Sequence, residues 1–168
     1  MTRSGFILKW TAYGIALCLV LVFNYYVLAL LPLGAVPQLI PIVVMAVGLL
    51  EGSRGGAGFG IAAGLVLAAS VHASVCWVAI LSLCGWVCGL LAQYALRRDV
   101  VGFFPAVLAA EGIFCGCKVL FHWVSGTAAP GVLLQVALPE YLWTVVFAGP
   151  VYALCRFCCR HFGRIYYE

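Results

Sequence analysis

Apolar residues run through this chain in long unbroken stretches, and the polar positions collect between them. The stretches cover residues 10–31, 37–50, 57–71, 75–96, 100–123 and 132–154. Within each the apolar character is continuous, as in membrane helices, and lacks the two-residue alternation of a barrel strand. The breaks are rich in turn formers or charge: Leu31-Pro32-Leu33-Gly34, Glu51-Gly52-Ser53-Arg54-Gly55-Gly56, Arg97-Arg98-Asp99, and Ser125-Gly126 through Pro130-Gly131. The pattern predicts an all-α integral membrane protein, a compact bundle of six transmembrane helices forming one domain over residues 1–168. The first stretch is too long for a signal h-region and lacks a cleavage site before a polar chain, so it reads as a retained span. The second is short: residues 37–50 reach roughly 21 Å as a helix, against about 30 Å of hydrocarbon. Two short spans joined by a cytoplasmic turn are favoured over a re-entrant hairpin. The hairpin would bring Glu51 and Arg54 into the bilayer, at roughly 2.5–3.5 kcal/mol each.

Composition narrows the class further. Of 168 residues, 66% are hydrophobic and only 8% charged, with a mean hydropathy of +1.16. A soluble domain carries roughly a quarter charged residues. The balance therefore excludes a water-soluble enzyme, a nucleic-acid-binding domain and a disordered chain as readings of the whole. The net charge of +4 is a topology signal. Arg3 and Lys9 precede span one, and Arg54 lies between spans two and three. Arg97 and Arg98 lie between four and five, and Arg156, Arg160 and Arg164 follow six. The alternate connections hold no Lys or Arg. The positive-inside rule makes the basic side, with both termini, cytoplasmic. Trp10, Trp123, Tyr166 and Tyr167 suit the aromatic belts, and His72 and His122 read as interfacial. The nine cysteines fall mostly inside apolar runs and read as small hydrophobes.

Three constellations stand out. Glycines recur every four residues at Gly48, Gly52, Gly56, Gly60 and Gly64, and again at Gly85/Gly89 and Gly112/Gly116. Small residues at this spacing let helix backbones approach closely. The structural reading is packing within the bundle. The functional one is a partner-binding stripe, for which Gly56, Gly60, Gly64, Gly85 and Gly89 are the candidates. The second constellation is intramembrane charge. Glu111 and Lys118 share a helix face about two turns apart. Glu140, between Pro139 and Tyr141, is a candidate partner for Lys118 by depth. These polar residues read as ties between helices ahead of an ion path. Pro139 and Pro150 should distort the last span. The third is Cys155, Cys158, Cys159 and His161, whose spacing fits no standard zinc site. No metal, no cofactor and no catalytic residues are assigned: H-E-x-x-H, Gly-x-Ser-x-Gly and a phosphate loop are missing from the sequence. Glu51, Asp99 and Glu168 read as cytoplasmic and exposed.

The run Gly48-Leu-Leu-Glu-Gly-Ser-Arg-Gly-Gly-Ala-Gly-Phe-Gly-Ile-Ala-Ala-Gly-Leu-Val-Leu resembles the turn and third span of the rod shape-determining protein MreD family. Gly85-Trp-Val-Cys-Gly-Leu-Leu with Arg97-Arg98 is similar to that family's fourth span and basic turn, and Leu138-Pro139 to Tyr152 to its last span. The chain departs from the family pattern at Ala68 and Leu142, where the family often has an acid and an Asn. The resemblance implies a non-enzymatic scaffold of the cell-elongation machinery in the bacterial inner membrane. Such a protein shapes the cell by binding single-span MreC, which links it to MreB and the peptidoglycan synthases. It implies lipid surroundings and no nucleic acid. The alternative is the substrate-binding S-component of an energy-coupling-factor vitamin transporter. That class docks through Ala-x-x-x-Ala steps such as Ala12/Ala16, but a vitamin site needs outer loops with several polar groups, and here those loops offer little beyond Gln38, His72, Ser74, Ser125 and Thr127.

Overall fold

The computed structural model describes residues 3–30, 36–71, 76–94, 100–124, 126 and 130–163. These form six α-helices and no strand: α1 (Arg3–Val22), α2 (Leu39–Glu51), α3 (Ser53–Val71), α4 (Cys76–Tyr94), α5 (Val100–Val124) and α6 (Pro130–Gly163). Helix α1 is prolonged by a π-helical turn, Phe23–Val27, and a 3-10 turn, Leu28–Leu30. The helices track the apolar stretches, because a chain in hydrocarbon must satisfy its backbone within each segment. Three stretches among the described residues are long and apolar enough to cross a membrane: Ile7–Val27, Cys76–Tyr94 and Gly131–His161. Their outward faces are apolar, with Ile15, Leu19, Leu83, Trp86, Leu134, Leu138 and Leu142 all exposed. A surface of that kind marks a membrane protein, because water does not tolerate so broad an apolar face.

Helix α2 is the hub. Every residue from Leu39 to Leu49 is buried, and Ile42, Val44, Ala46, Val47 and Leu49 have no exposed surface. A helix that is apolar all round suits either lipid or the interior, and here the other helices enclose it. Helices α1, α3, α4, α5 and α6 all touch it. Its 13 residues span only about 20 Å, and the surrounding helices shelter both ends. Pro41 sits in its first turn, where a missing N–H costs nothing.

Two element bounds differ from expectation. The predicted break over residues 51–56 contracts to Gly52, whose φ of 88° is open to glycine and strained for other residues. Gly52 N–H donates to Gly48 O at 2.9 Å, and Gly56 N–H to Gly52 O at 2.9 Å, so α3 starts at once. Helix α6 runs through Pro139 and Pro150 and on to Gly163, taking in residues expected to form a tail. Arg160 and His161 in its last turn complement the helix dipole.

Candidate functional site

The glycine stripes meet each other. Helices α3 and α4 pack more extensively than any other pair, with α2 against both. A methyl group on Gly56, Gly60, Gly64, Gly85 or Gly89 would lie under 3.0 Å from a backbone atom of a neighbouring segment. Gly56 faces the Gly85 carbonyl, Gly60 the Leu81 carbonyl and Gly64 the Cα of Val78. Gly89 abuts the Gly52–Ser53 turn. The Ser82 hydroxyl donates across the seam to the Ala57 carbonyl at 3.3 Å. This corrects the expectation that the stripe is a partner surface. Both halves of it lie on one chain, so they close on each other and leave no free face. Gly112 and Gly116 do not repeat the pattern: Gly116 has open space and Gly112 only an ordinary contact with Tyr141.

A polar cluster closes the end of the bundle where α2 stops. Glu51 pairs with Lys9 of α1. It accepts a hydrogen bond from the Tyr13 hydroxyl at 2.8 Å and lies 3.8 Å from Cys159 Sγ of α6. The Glu51 side chain is only 13% exposed, which corrects its reading as exposed. Because α2 is the central helix, its last residue emerges between α1 and α6. Trp10 and Tyr13 pack edge-on or tilted against Phe59 of α3 beside it. This arrangement brings Lys9, the Arg54 turn and the Arg156–Arg160 segment to one end of the bundle.

Glu111 is 5% exposed and borders two small cavities, one shared with α6 and one with α2 and α4. Each has a volume of about 10 Å³, close to the lower limit for one water molecule. One lies against Met45 and Cys84; the other against Glu140, Tyr141 and Thr144. Glu140 is therefore a neighbour of Glu111 across a water-sized gap. The Lys118 side chain lies outside the described residues, as does any Lys118–Glu140 pair. Thr144, which follows the Pro139-Glu140-Tyr141 run and carries no role in the sequence reading, is 1% exposed. Its hydroxyl donates to the Glu140 carbonyl at 2.6 Å and accepts from the Gln38 N–H at 3.1 Å, tying the start of α2 to α6. The four-residue step from Glu140 to Thr144 in an apolar run is the signal for the first of these bonds.

Cys155 and Cys158 are buried in the core as small apolar groups. Among the described residues no cluster of His, Cys, Asp and Glu could hold a metal. His72 lies outside the described residues. The Ala12/Ala16 step faces inward, with Ala16 3% exposed and Ala12 packed on the core.

Two larger hollows remain. At the end opposite Glu51 is a cavity of about 220 Å³, bordered by Asn24, Tyr25, Gln38, Leu67 and Trp77. Between α1 and α6 lies a shallow apolar groove of about 370 Å³, lined by Leu19, Phe23, Leu39, Phe147, Pro150 and Leu154. No family model, no curated protein and no solved structure matches the chain.

Proposed function

We propose that the chain is a six-crossing scaffold of the bacterial inner membrane, with its basic end cytoplasmic, that works as MreD does. It holds a single-span partner of the MreC type and thereby connects lateral wall synthesis outside with MreB inside. The observation that carries the reading is the groove between α1 and α6. It is lined only by apolar side chains. In lipid, helices associate through close van der Waals packing, and the groove is a concave face on which one more helix fits. The glycine seam is spent within the chain, so the groove replaces it as the partner surface. The inward turn of Ala16 speaks against docking of a transporter's coupling protein on that step.

The test is site-specific photo-crosslinking in the native membrane, from Leu19 and Phe147 in the groove and from Leu83 on the far face of α4. Crosslinks to an MreC-type protein from the two groove positions, and none from Leu83, are expected. A coupling transmembrane protein with two ATPases in their place would establish the transporter reading. Crosslinks to MreC from all three positions alike would remove the groove from the argument.

A further inference from the structure

From the cavity opposite the Glu51 cluster, we infer that the protein binds a small uncharged heterocycle, one ring in size, through the side-chain amide of Asn24. Along α1 the inward positions are Tyr13, Leu17, Val20, Asn24 and Leu28, all buried. Packing alone would place an apolar residue fourth in that row. Asn24 is 3% exposed, and its Oδ1 has no hydrogen-bond donor among the described residues. Buried amide oxygens are nearly always paired, and one left over calls for an explanation. Asn24 also sits in the π-helical turn, where the Leu28 N–H reaches back to the Phe23 carbonyl. Such turns are rare and concentrate at functional sites.

The cavity itself selects the ligand. Its volume is about 220 Å³, whereas an apolar cavity of about 150 Å³ takes up benzene. One ring with a substituent therefore fits. Water is the bland occupant. At about 30 Å³ each, roughly seven molecules would fill the space, and each needs two to four polar partners. The walls are mainly apolar: Val36, Pro37, Ile40, Pro41 and Leu67, with the Trp77 indole. None of the described lining residues is an acid, Lys, Arg or His, so an ionic ligand would lose its hydration without compensation. Tyr25, Gln38 and Trp77 also bring donors to the lining, but none of them bonds Asn24 Oδ1, which is left for a donor on the ligand. A ring or amide N–H supplies it, and the indole and aliphatic walls take the ring. This site does not depend on the scaffold reading.

The probes are nicotinamide and thymine, with nicotinate as the charged comparison, titrated into the purified full-length protein in lipid nanodiscs. At millimolar concentration at least one neutral probe should raise the Tm by roughly 2–4 °C, and nicotinate should not. Asn24→Leu should weaken that binding at least tenfold, while its ligand-free Tm equals or exceeds that of the parent. Stability gained where binding is lost is the signature of a polar group kept for a ligand. Asn24→Ser, which shortens the reach, serves if the leucine variant does not fold. The inference is overturned if neither neutral probe shifts the Tm, if nicotinate binds as well, or if both variants bind like the parent.

Discussion

On α3, Gly60 and Gly58 are two residues apart and could hardly differ more. Gly60 is buried, with the Leu81 carbonyl where a Cβ would go, and Gly58 looks onto open space. Gly60→Leu should destabilise the protein by at least about 1–3 kcal/mol, the cost of overpacking a filled interface. Gly58→Ala should stabilise it by about 0.5–1 kcal/mol, because alanine loses less backbone entropy in a helix. Unfolding of the two variants beside the parent reads both effects. Equal stability of the two would mean that α3 and α4 are not in backbone contact. The four-residue spacing already puts Gly60 in the row of Gly56 and Gly64 and leaves Gly58 off it. What that row packs against is a property of the packed pair.

At the scale of elements, α2 depends on ties at both ends. Glu51 is held by Lys9 and Tyr13, and the Gln38 N–H by the Thr144 hydroxyl. Lys9→Met or Glu51→Gln alone leaves a sheltered group without its partner, whereas the double variant removes both. The cycle should show a coupling of about 1–3 kcal/mol. A coupling near zero would place the pair in solvent. Thr144→Val keeps the shape and removes the acceptor, and should cost about 1 kcal/mol or somewhat more. Faster amide exchange at Gln38 would accompany the loss. Burial of α2 was not legible: residues 39–50 contain no polar residue, which suits a span facing lipid as well as one enclosed by other helices. Which helices surround it was not legible either, because residues far apart in sequence form those contacts.

At the scale of the molecule, the start of α1, the α2–α3 turn and the end of α6 lie at one end of the bundle, joined through Glu51. The described basic residues of those segments gather there. If the positive-inside rule governs this chain, a fluorescent protein fused after residue 168 should fold and emit in the cytoplasm. Alkaline phosphatase inserted at residue 126 should be active outside. The opposite pattern for both fusions would invert the topology, and a mixed pattern would change the number of crossings. The glycine seam, the Glu51 cluster and the buried hub leave the exposed surface mainly apolar, so partner contacts must form within the bilayer or at the two ends.

Much of this protein is decided segment by segment. Six helices, their order and the membrane setting follow from the apolar stretches, because backbone satisfaction in hydrocarbon is a local demand that each segment meets within itself. That α3 and α4 each carry a face for close helix packing was also legible, since the four-residue glycine spacing acts on one helix face, but that the two faces meet each other was not. Other features depended on which faces meet. The stripe closes on its own chain, Glu51 is sheltered between α1 and α6, and Asn24 borders a cavity with Gln38 and Trp77. Each depends on contacts between residues distant in sequence. In lipid, an apolar helix face has nearly the same affinity for a neighbouring helix as for an acyl chain. Hydrophobic pattern therefore cannot choose between those faces, and shape and a few polar contacts do.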